Sequence, residues 1–391
     1  MATIGWGRSR KSVPLGDVTE ISRLAISTGG GDAPGLNAVI RSVTLSARNR
    51  GCDVVGIRDG FNGLFLPEEY PNGGLIDLTR EAVRGISHLG GTIIGSTNKG
   101  NPTAYPVQQA DGTWVEVDRS DELIERFADA GIDALVTVGG DGTLSIANHL
   151  YEHGLRVVGV PKTIDNDLDK TTATFGFDTA VDFATQCVDR LFTTATSHGR
   201  VIVVEVMGRY AGWIALHAGM AAGAHCILIP EIPYSIDLIA DTVIERDRSG
   251  SKFTIVVVAE GAIPVGGEIS TIGKAPGQAV QLGGIGAKVA AELQELTGKE
   301  ARTVVLGHLL RGGSPTSFDR LLGFRFGAAA VRALEAGQNG VMVALDPPDV
   351  VHVPLADATR RMKNVPPDCD TMLTARDLRI NFGDQMPEIA F

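Results

Sequence analysis

Val160-Pro161-Lys162-Thr163-Ile164-Asp165-Asn166-Asp167 is the stretch on which the fold turns, and it follows the run Arg156-Val157-Val158-Gly159-Val160. The apolar residues of that run read as a buried strand, and Pro161 ends the ladder by removing a backbone donor. A cation, a hydroxyl and two carboxylates (Lys162, Thr163, Asp165 and Asp167) then follow in quick succession. Such a mixture is costly to bury, and it stands where open α/β sheets keep their ligand crevices, outside the carboxyl ends of strands. A solvated loop closed by Asx-turns is the plainer account of the octet. Against it stands a second stretch of the same design, Asp133-Ala134-Leu135-Val136-Thr137-Val138 followed by Gly139-Gly140-Asp141-Gly142-Thr143.

Working outward, the strand Leu24-Ala25-Ile26-Ser27 runs into Thr28-Gly29-Gly30-Gly31-Asp32-Ala33-Pro34-Gly35, and a helix is predicted over about 36–49. A Gly-rich turn between strand and helix is an anion site by construction, because backbone N–H groups and the helix dipole point into it. This one is neither a Walker motif nor GxGxxG. Further strands are predicted at Asp53–Ile57, Thr92–Ser96, Val201–Val206, Cys226–Pro230 and Thr254–Glu260, and helices over about 120–130 and 178–194. The Thr92–Ser96 run opens onto another polar loop, Thr97-Asn98-Lys99-Gly100-Asn101. Strands alternating with helices of this length predict an α/β fold with parallel sheets covered on both faces. No repeat and no Ser/Gly/Pro-rich linker is present, so two domains would share the chain more than once. Residues 266–283 read as a surface excursion and 357–363 as a short helix in a tail without evident chemistry.

The bulk numbers narrow the classes. At 391 residues, 43% hydrophobic and 21% charged, the chain can form two ordinary domains or one large α/β body. A net charge of −11 argues against a nucleic-acid binder. Any bound phosphate must then be held by a local cationic cluster or Mg²⁺ against the overall field. No apolar run approaches the ~20 residues of a membrane helix, and the basic start has no apolar core of a signal peptide. Cys52, Cys187, Cys226 and Cys369 are far apart, which supports neither zinc nor a disulfide framework and fits a cytoplasmic location.

Five segments in order resemble the phosphofructokinase family, over about 22–340. They are Gly29-Gly30-Gly31-Asp32-Ala33-Pro34-Gly35-Leu36-Asn37, Gly139-Gly140-Asp141-Gly142-Thr143, Pro161–Asp167, Glu205-Val206-Met207-Gly208-Arg209-Tyr210, and Leu306-Gly307-His308 with Arg311-Gly312-Gly313-Ser314-Pro315. The resemblance implies two Rossmann-like three-layer α/β domains with mainly parallel sheets. Residues 1–21 would be an N-terminal extension, 22–176 with 310–362 the nucleotide domain, and 177–309 with 363–391 the sugar-phosphate domain. It implies a glycolytic kinase that moves the γ-phosphoryl group of ATP-Mg²⁺ to the 1-hydroxyl of fructose 6-phosphate. Asp165, Thr163, Arg209 and Gly31 form the implied catalytic set, with Asp165 as general base. Gly31, Gly140, Asp141, Gly142 and Thr143 would hold the nucleotide, with Asp141 on Mg²⁺. Thr163, Asp165, Met207, Gly208, Arg209, Glu260, His308 and Arg311 would contact the sugar phosphate. Arg200 and Arg302 match arginines that reach a neighbouring subunit's site, which implies a homodimer at least and a tetramer by analogy.

Elementary chemistry suits those roles. A carboxylate at its usual pKa of ~3.9 is ionised at pH 7 and can accept a hydroxyl proton. Arginine forks bind phosphate by paired charge-assisted hydrogen bonds. For the donor, Lys162 is similar to the pyrophosphate-using branch, whereas Gly142 leaves room for a nucleotide where that branch carries an Asp. The steric argument favours ATP, with pyrophosphate the alternative. Asn98 stands where bacterial ATP-using members have an arginine, and of the several arginines of the bacterial effector site Arg41 matches while Leu45 and Phe192 do not. Lipid and NAD kinases share Gly-Gly-Asp-Gly-Thr but nothing like the octet. Sedoheptulose 7-phosphate is an alternative acceptor, and a non-catalytic subunit is disfavoured because Asp141 and Asp165 are both present.

Overall fold

Alternate residues of Ala134–Gly139 meet apolar cores on opposite faces, so the strand is buried along its whole length. That is the signature of a parallel strand with helices on both sides. The computed structural model describes residues 21–273 and 281–384; residues 1–20 of the expected N-terminal extension, 274–280 of the expected excursion and the last seven residues lie outside it.

Seven strands form the first sheet, in the order Asp349–Pro354, Val341–Asp346, Val157–Pro161, Ala134–Gly139, Arg23–Thr28, Asp53–Ile57, Leu75–Asp77. The inner five run parallel and the two edges antiparallel. Leaving Arg23–Thr28, the chain first builds toward one edge and then toward the other. The topological switch point therefore lies between Arg23–Thr28 and Ala134–Gly139. Register makes that point chemical: Thr28 pairs with Val138, and Gly139 with Pro161. The Gly-rich turn, the Gly-Gly-Asp-Gly-Thr loop and the octet thus leave the sheet side by side. Helices Leu36–Arg48 and Ser317–Glu335 pack together over one face through Val39, Val43, Leu322 and Phe326.

A second sheet of four parallel strands is ordered Ala301–Val305, Val201–Val206, Thr254–Ala259, Cys226–Leu228. The helix Phe177–His198 connects it to the first sheet, starting after Gly176 at φ 96°. A Cβ on Gly176 would sit 2.8 Å from that of Ala33, so only glycine fits there. Among the described residues, the fold is α/β with mainly parallel sheets, as expected.

Two elements differ from expectation. Thr92–Ser96 is a turn and not a strand. The Ile93 N–H donates to Asn37 Oδ1 at 2.9 Å, and Gly95 takes φ 77°. These contacts bend the chain although Ile94 is fully buried. Of the short helix expected over 357–363, only Leu355–Ala358 is helical. The following residues are drawn out by pairing with the octet: Met362 bridges Leu168, and the Lys363 N–H donates to the Asp167 carbonyl at 2.8 Å. A helix this short has too little propensity of its own to resist. The hairpin of Tyr105–Gln108 and Trp114–Val117 was not expected from the sequence.

Candidate active site

Close contact explains the glycines of the first loop. A Cβ on Gly29 would fall 2.7 Å from Thr143 Oγ1, and one on Gly31 would fall 2.8 Å from Arg311 Nη1. Gly30 has φ 76°, donates to the Thr97 carbonyl at 3.0 Å and accepts from Ser96 Oγ at 2.6 Å. Gly142 is different: nothing lies within 4 Å of where its Cβ would be. It lines one cleft together with Gly29, Gly30, Asn98, Lys99 and Thr143. The helix Asp141–Glu152 begins at the cleft, and its Gly140 cap has no side chain to occupy the first N–H groups. Free amides at a helix start attract phosphate.

In the octet, Lys162 is only 3% exposed, and its Nζ donates to the Gly31 carbonyl. Burial above all, then the Arg311 guanidinium, lowers its pKa to about 8. The ammonium therefore ties the octet to the Gly-rich loop from beneath. The Asp165 N–H donates to Thr163 Oγ1 at 3.1 Å, and Thr163 O accepts from Thr174 Oγ1 at 2.7 Å. Asp165 as a residue is half-buried, but its Oδ1 is sealed from solvent without a hydrogen-bond partner among the described residues. Burial first, then the Asp167 and Glu260 charges, raise its pKa to about 7 against the pull of Arg311 and Lys162. This corrects the expectation of a fully ionised carboxylate at pH 7.

Burial, and secondly the Asp167 carboxylate, raise the Asp141 carboxyl as well. Asp167 thus works on both aspartates of the expected chemistry, a function that the sequence analysis left unassigned. Hard carboxylate oxygens suit Mg²⁺. Among the described residues, no group of three or more acids, histidines or cysteines could hold a metal by itself. A Mg²⁺ at Asp141 would need phosphate oxygens and water for the rest of its shell, as Mg²⁺ commonly does.

The second sheet brings its own strand ends to the crevice. Ala259 pairs with Val206, so Glu260 and Met207-Gly208-Arg209 emerge together. Gly208 is buried at φ 144°, where a Cβ would press to 2.8 Å from the Ala211 carbonyl, and its backbone N–H bonds Glu260. Burial first, then Glu205, raises the Glu260 carboxyl, opposed by Arg209 and Arg311. The Arg209 guanidinium lies 5.2 Å from the Tyr210 ring centre. Arg311 reaches across to donate to the Asp32 carbonyl at 3.1 Å. His308 is exposed on the short turn Gly307–Arg311.

Arg200 and Arg302 are elsewhere. They share Glu300, with Arg200 Nε at 2.5 Å from Oε2 and Arg302 on Oε1. That pair marks the amino ends of Val201–Val206 and Ala301–Val305, roughly 20 Å from Arg209 at ~3.3 Å per strand residue. The four arginines therefore form no single cluster in one subunit. Leu45 and Phe192 serve cores: Leu45, on the helix Leu36–Arg48, packs against the core of the first sheet, and Phe192 meets Phe253 edge-on at 5.6 Å.

Strand-end loops of two sheets come close together here, one set offering backbone amides and the other arginines and carboxylates, an arrangement chemically suited to phosphorylated ligands. A family model for phosphofructokinase matches residues 23–334, and the chain belongs to that family. It is 51% identical over 364 residues to a Chloroflexus aurantiacus protein named ATP-dependent 6-phosphofructokinase, covering 93% of this chain and 98% of that one. It is 48% identical over 349 residues to an Amycolatopsis methanolica protein named pyrophosphate–fructose 6-phosphate 1-phosphotransferase, covering 88% and 97%. The solved phosphofructokinase of Saccharomyces cerevisiae superposes with a TM-score of 0.71 at 29% identity. That match takes in 87% of this chain but spans only 45% of the yeast chain.

Proposed function

We propose that this chain is an ATP-dependent 6-phosphofructokinase that converts fructose 6-phosphate to fructose 1,6-bisphosphate. The observation that carries the reading is Asp165, whose sealed Oδ1 has no partner among the described residues and which follows a first-sheet strand end within reach of the Glu260 charge from the second sheet. Its carboxylate accepts the proton of the sugar 1-hydroxyl as that oxygen bonds to the γ-phosphorus. The bond from that phosphorus to the bridging oxygen breaks, and its electron pair leaves with ADP. Phosphoryl transfer asks mainly for positioning and charge neutralisation. Gly31, Gly140, Gly142 and Thr143 cradle the donor phosphates, and Asp141 would hold Mg²⁺, which when bound would supply charge neutralisation. Thr163 orders the turn that carries Asp165. Met207, Gly208, Arg209, Glu260, His308 and Arg311 take the sugar phosphate. In domain terms, residues 22–176 with 310–362 bind nucleotide and 177–309 with 363–391 bind sugar. Among the described residues, no helix is long and apolar enough to cross a membrane.

The open space at Gly142 supports ATP. Pyrophosphate is the second reading, favoured by Lys162 beneath the donor loop and by the names of several relatives at 48–50% identity. Steady-state assays with each donor, fructose 6-phosphate and Mg²⁺ decide it: ATP is expected to give the higher kcat/KM, and faster turnover with pyrophosphate overturns the assignment. Sedoheptulose 7-phosphate as acceptor belongs in the same experiment.

A pH profile follows from Asp165. With its pKa raised to about 7, the base is protonated and silent below that pH. The kcat/KM, which reports the free enzyme, should fall as pH drops through about 7. A plateau down to pH ~5 would mean that Asp165 keeps the ordinary carboxylate range.

Arg200 and Arg302 stand too far from Arg209 to serve their own crevice, so they are assigned to a second copy's sugar phosphate, in a homodimer at least and a tetramer by analogy. Arg302→Ala should raise the KM for fructose 6-phosphate by about tenfold to a hundredfold, the loss of a charge-assisted bond, with kcat nearly kept. Mixing it with Asp165→Asn subunits should restore part of the activity at low fructose 6-phosphate through hybrid sites. No recovery on mixing would remove the shared-site reading.

A further inference from the structure

Residues 361–366, in the tail without evident chemistry, strap the octet to the second sheet's body. Arg361 is ion-paired with Asp169 at 2.7 Å, Met362 bridges Leu168, and the Lys363 N–H holds the Asp167 carbonyl. On the other side, the Trp213 indole donates to the Lys363 carbonyl at 2.8 Å. The Val365 N–H donates to Glu231 Oε1 at 2.8 Å, and the same carboxylate accepts from the Gly212 N–H.

The side chain of Lys363 fills the middle of the loop. Its Nζ donates to Asn166 Oδ1 at 2.9 Å, to the Thr171 carbonyl at 2.9 Å and to the Thr172 carbonyl at 3.1 Å. Those bonds use all the ammonium protons. Asn166 stands at φ 51°, and its Oδ1 also accepts from the Thr174 N–H at 3.1 Å. Thr174 Oγ1 closes the neck on Thr163 O. The loop from Thr163 to Thr174, which carries Asp165 and Asp167, is thus cross-braced through one half-buried cation. That cation is bonded only to neutral oxygens, with the Trp213 ring 5.9 Å away. A half-buried ammonium with no directly bonded carboxylate, only the more distant Asp167 and Asp169 charges, gains little stability from its position. What it does supply is geometry, fixed from both domains at once.

We propose that Lys363 is a positioning residue for phosphoryl transfer, holding the Thr163–Thr174 loop so that Asp165 meets the sugar hydroxyl. The proposal rests on the reading of Asp165 as general base. Misplacement of a reacting group by ~1 Å can cost about 10²-fold in rate. Lys363→Met, which keeps the volume, should therefore lower kcat by about 10²-fold with both KM values within about threefold. Lys363→Ala should recover several-fold of its lost kcat when ethylammonium is added. Independently of turnover, amide hydrogen exchange in Lys363→Met should quicken across residues 163–174 and stay unchanged in the helix Phe177–His198 and both sheets. A kcat within about twofold of wild type overturns the proposal. So does a loss that ethylammonium leaves untouched while exchange quickens throughout the chain, because that marks a general stability role. Wild-type protein inactive on every sugar phosphate would instead remove the kinase reading, and the exchange comparison would still judge the brace.

Discussion

Asp165→Asn is expected to lower kcat by about 10²–10⁴-fold, the usual worth of a positioned base. The KM for fructose 6-phosphate should move by no more than about threefold, since the amide keeps shape and volume and only the proton acceptor is lost. The acid limb of the pH profile near 7 should vanish with it. Stability supplies a second readout of opposite sign. A carboxyl whose folded pKa is raised contributes stability that is present below its unfolded value and lost as pH rises through the folded one. Wild-type protein should therefore lose stability between pH ~4 and about 7, where the unfolded chain ionises Asp165 while the fold still holds it protonated. Asp165→Asn escapes that penalty, so its gain in Tm over wild type should be larger at pH 8 than at pH 5. Unchanged kcat in the variant would remove Asp165 from the chemistry. A large rise in KM with kcat intact would make it a binding group.

What the sequence allowed one to read, and what it did not, divides along the range of the interactions. Strand-end loops are local: an apolar run, then Pro161 or Gly139, then polar residues, and register alone carries Thr28, Gly139 and Pro161 to a common edge. Asp165 could be picked out for that reason. Its protonation could not, because it depends first on burial in the finished fold and, besides its neighbour Asp167, on Arg311 and Glu260, which come from far along the chain. Lys363 was invisible for the same reason, as an ordinary lysine in a tail without periodicity whose partners Asn166 and Trp213 lie far off in sequence. Thr92–Ser96 failed in the reverse direction. Its apolar residues do enter the core, but Asn37 takes the backbone donor that a strand would have needed. Burial was legible there and hydrogen bonding was not.

Gly142→Asp is expected to reduce kcat/KM for ATP by about 10²–10³-fold, because like charges set against each other cost several kcal/mol. The position lies in the first turn of the helix Asp141–Glu152, with open space around the missing side chain. The Cβ of an added side chain would therefore meet no protein atom, and its carboxylate would interact favourably with the helix dipole, so Tm should hold or rise slightly. That separates the effect from misfolding. The open space belongs to the cleft lined by Gly29, Gly30, Asn98 and Lys99, where a nucleotide's phosphates would lie. The added charge would then face the α-phosphate, which pyrophosphate lacks, so turnover with pyrophosphate should be kept or improved. Gly142→Ala divides size from charge: a methyl group there should cost ATP use less than about tenfold. If Gly142→Asp used ATP as well as the wild type, the nucleotide would have to lie outside this cleft. If Gly142→Ala were as damaging as Gly142→Asp, shape and not repulsion would govern the choice of donor.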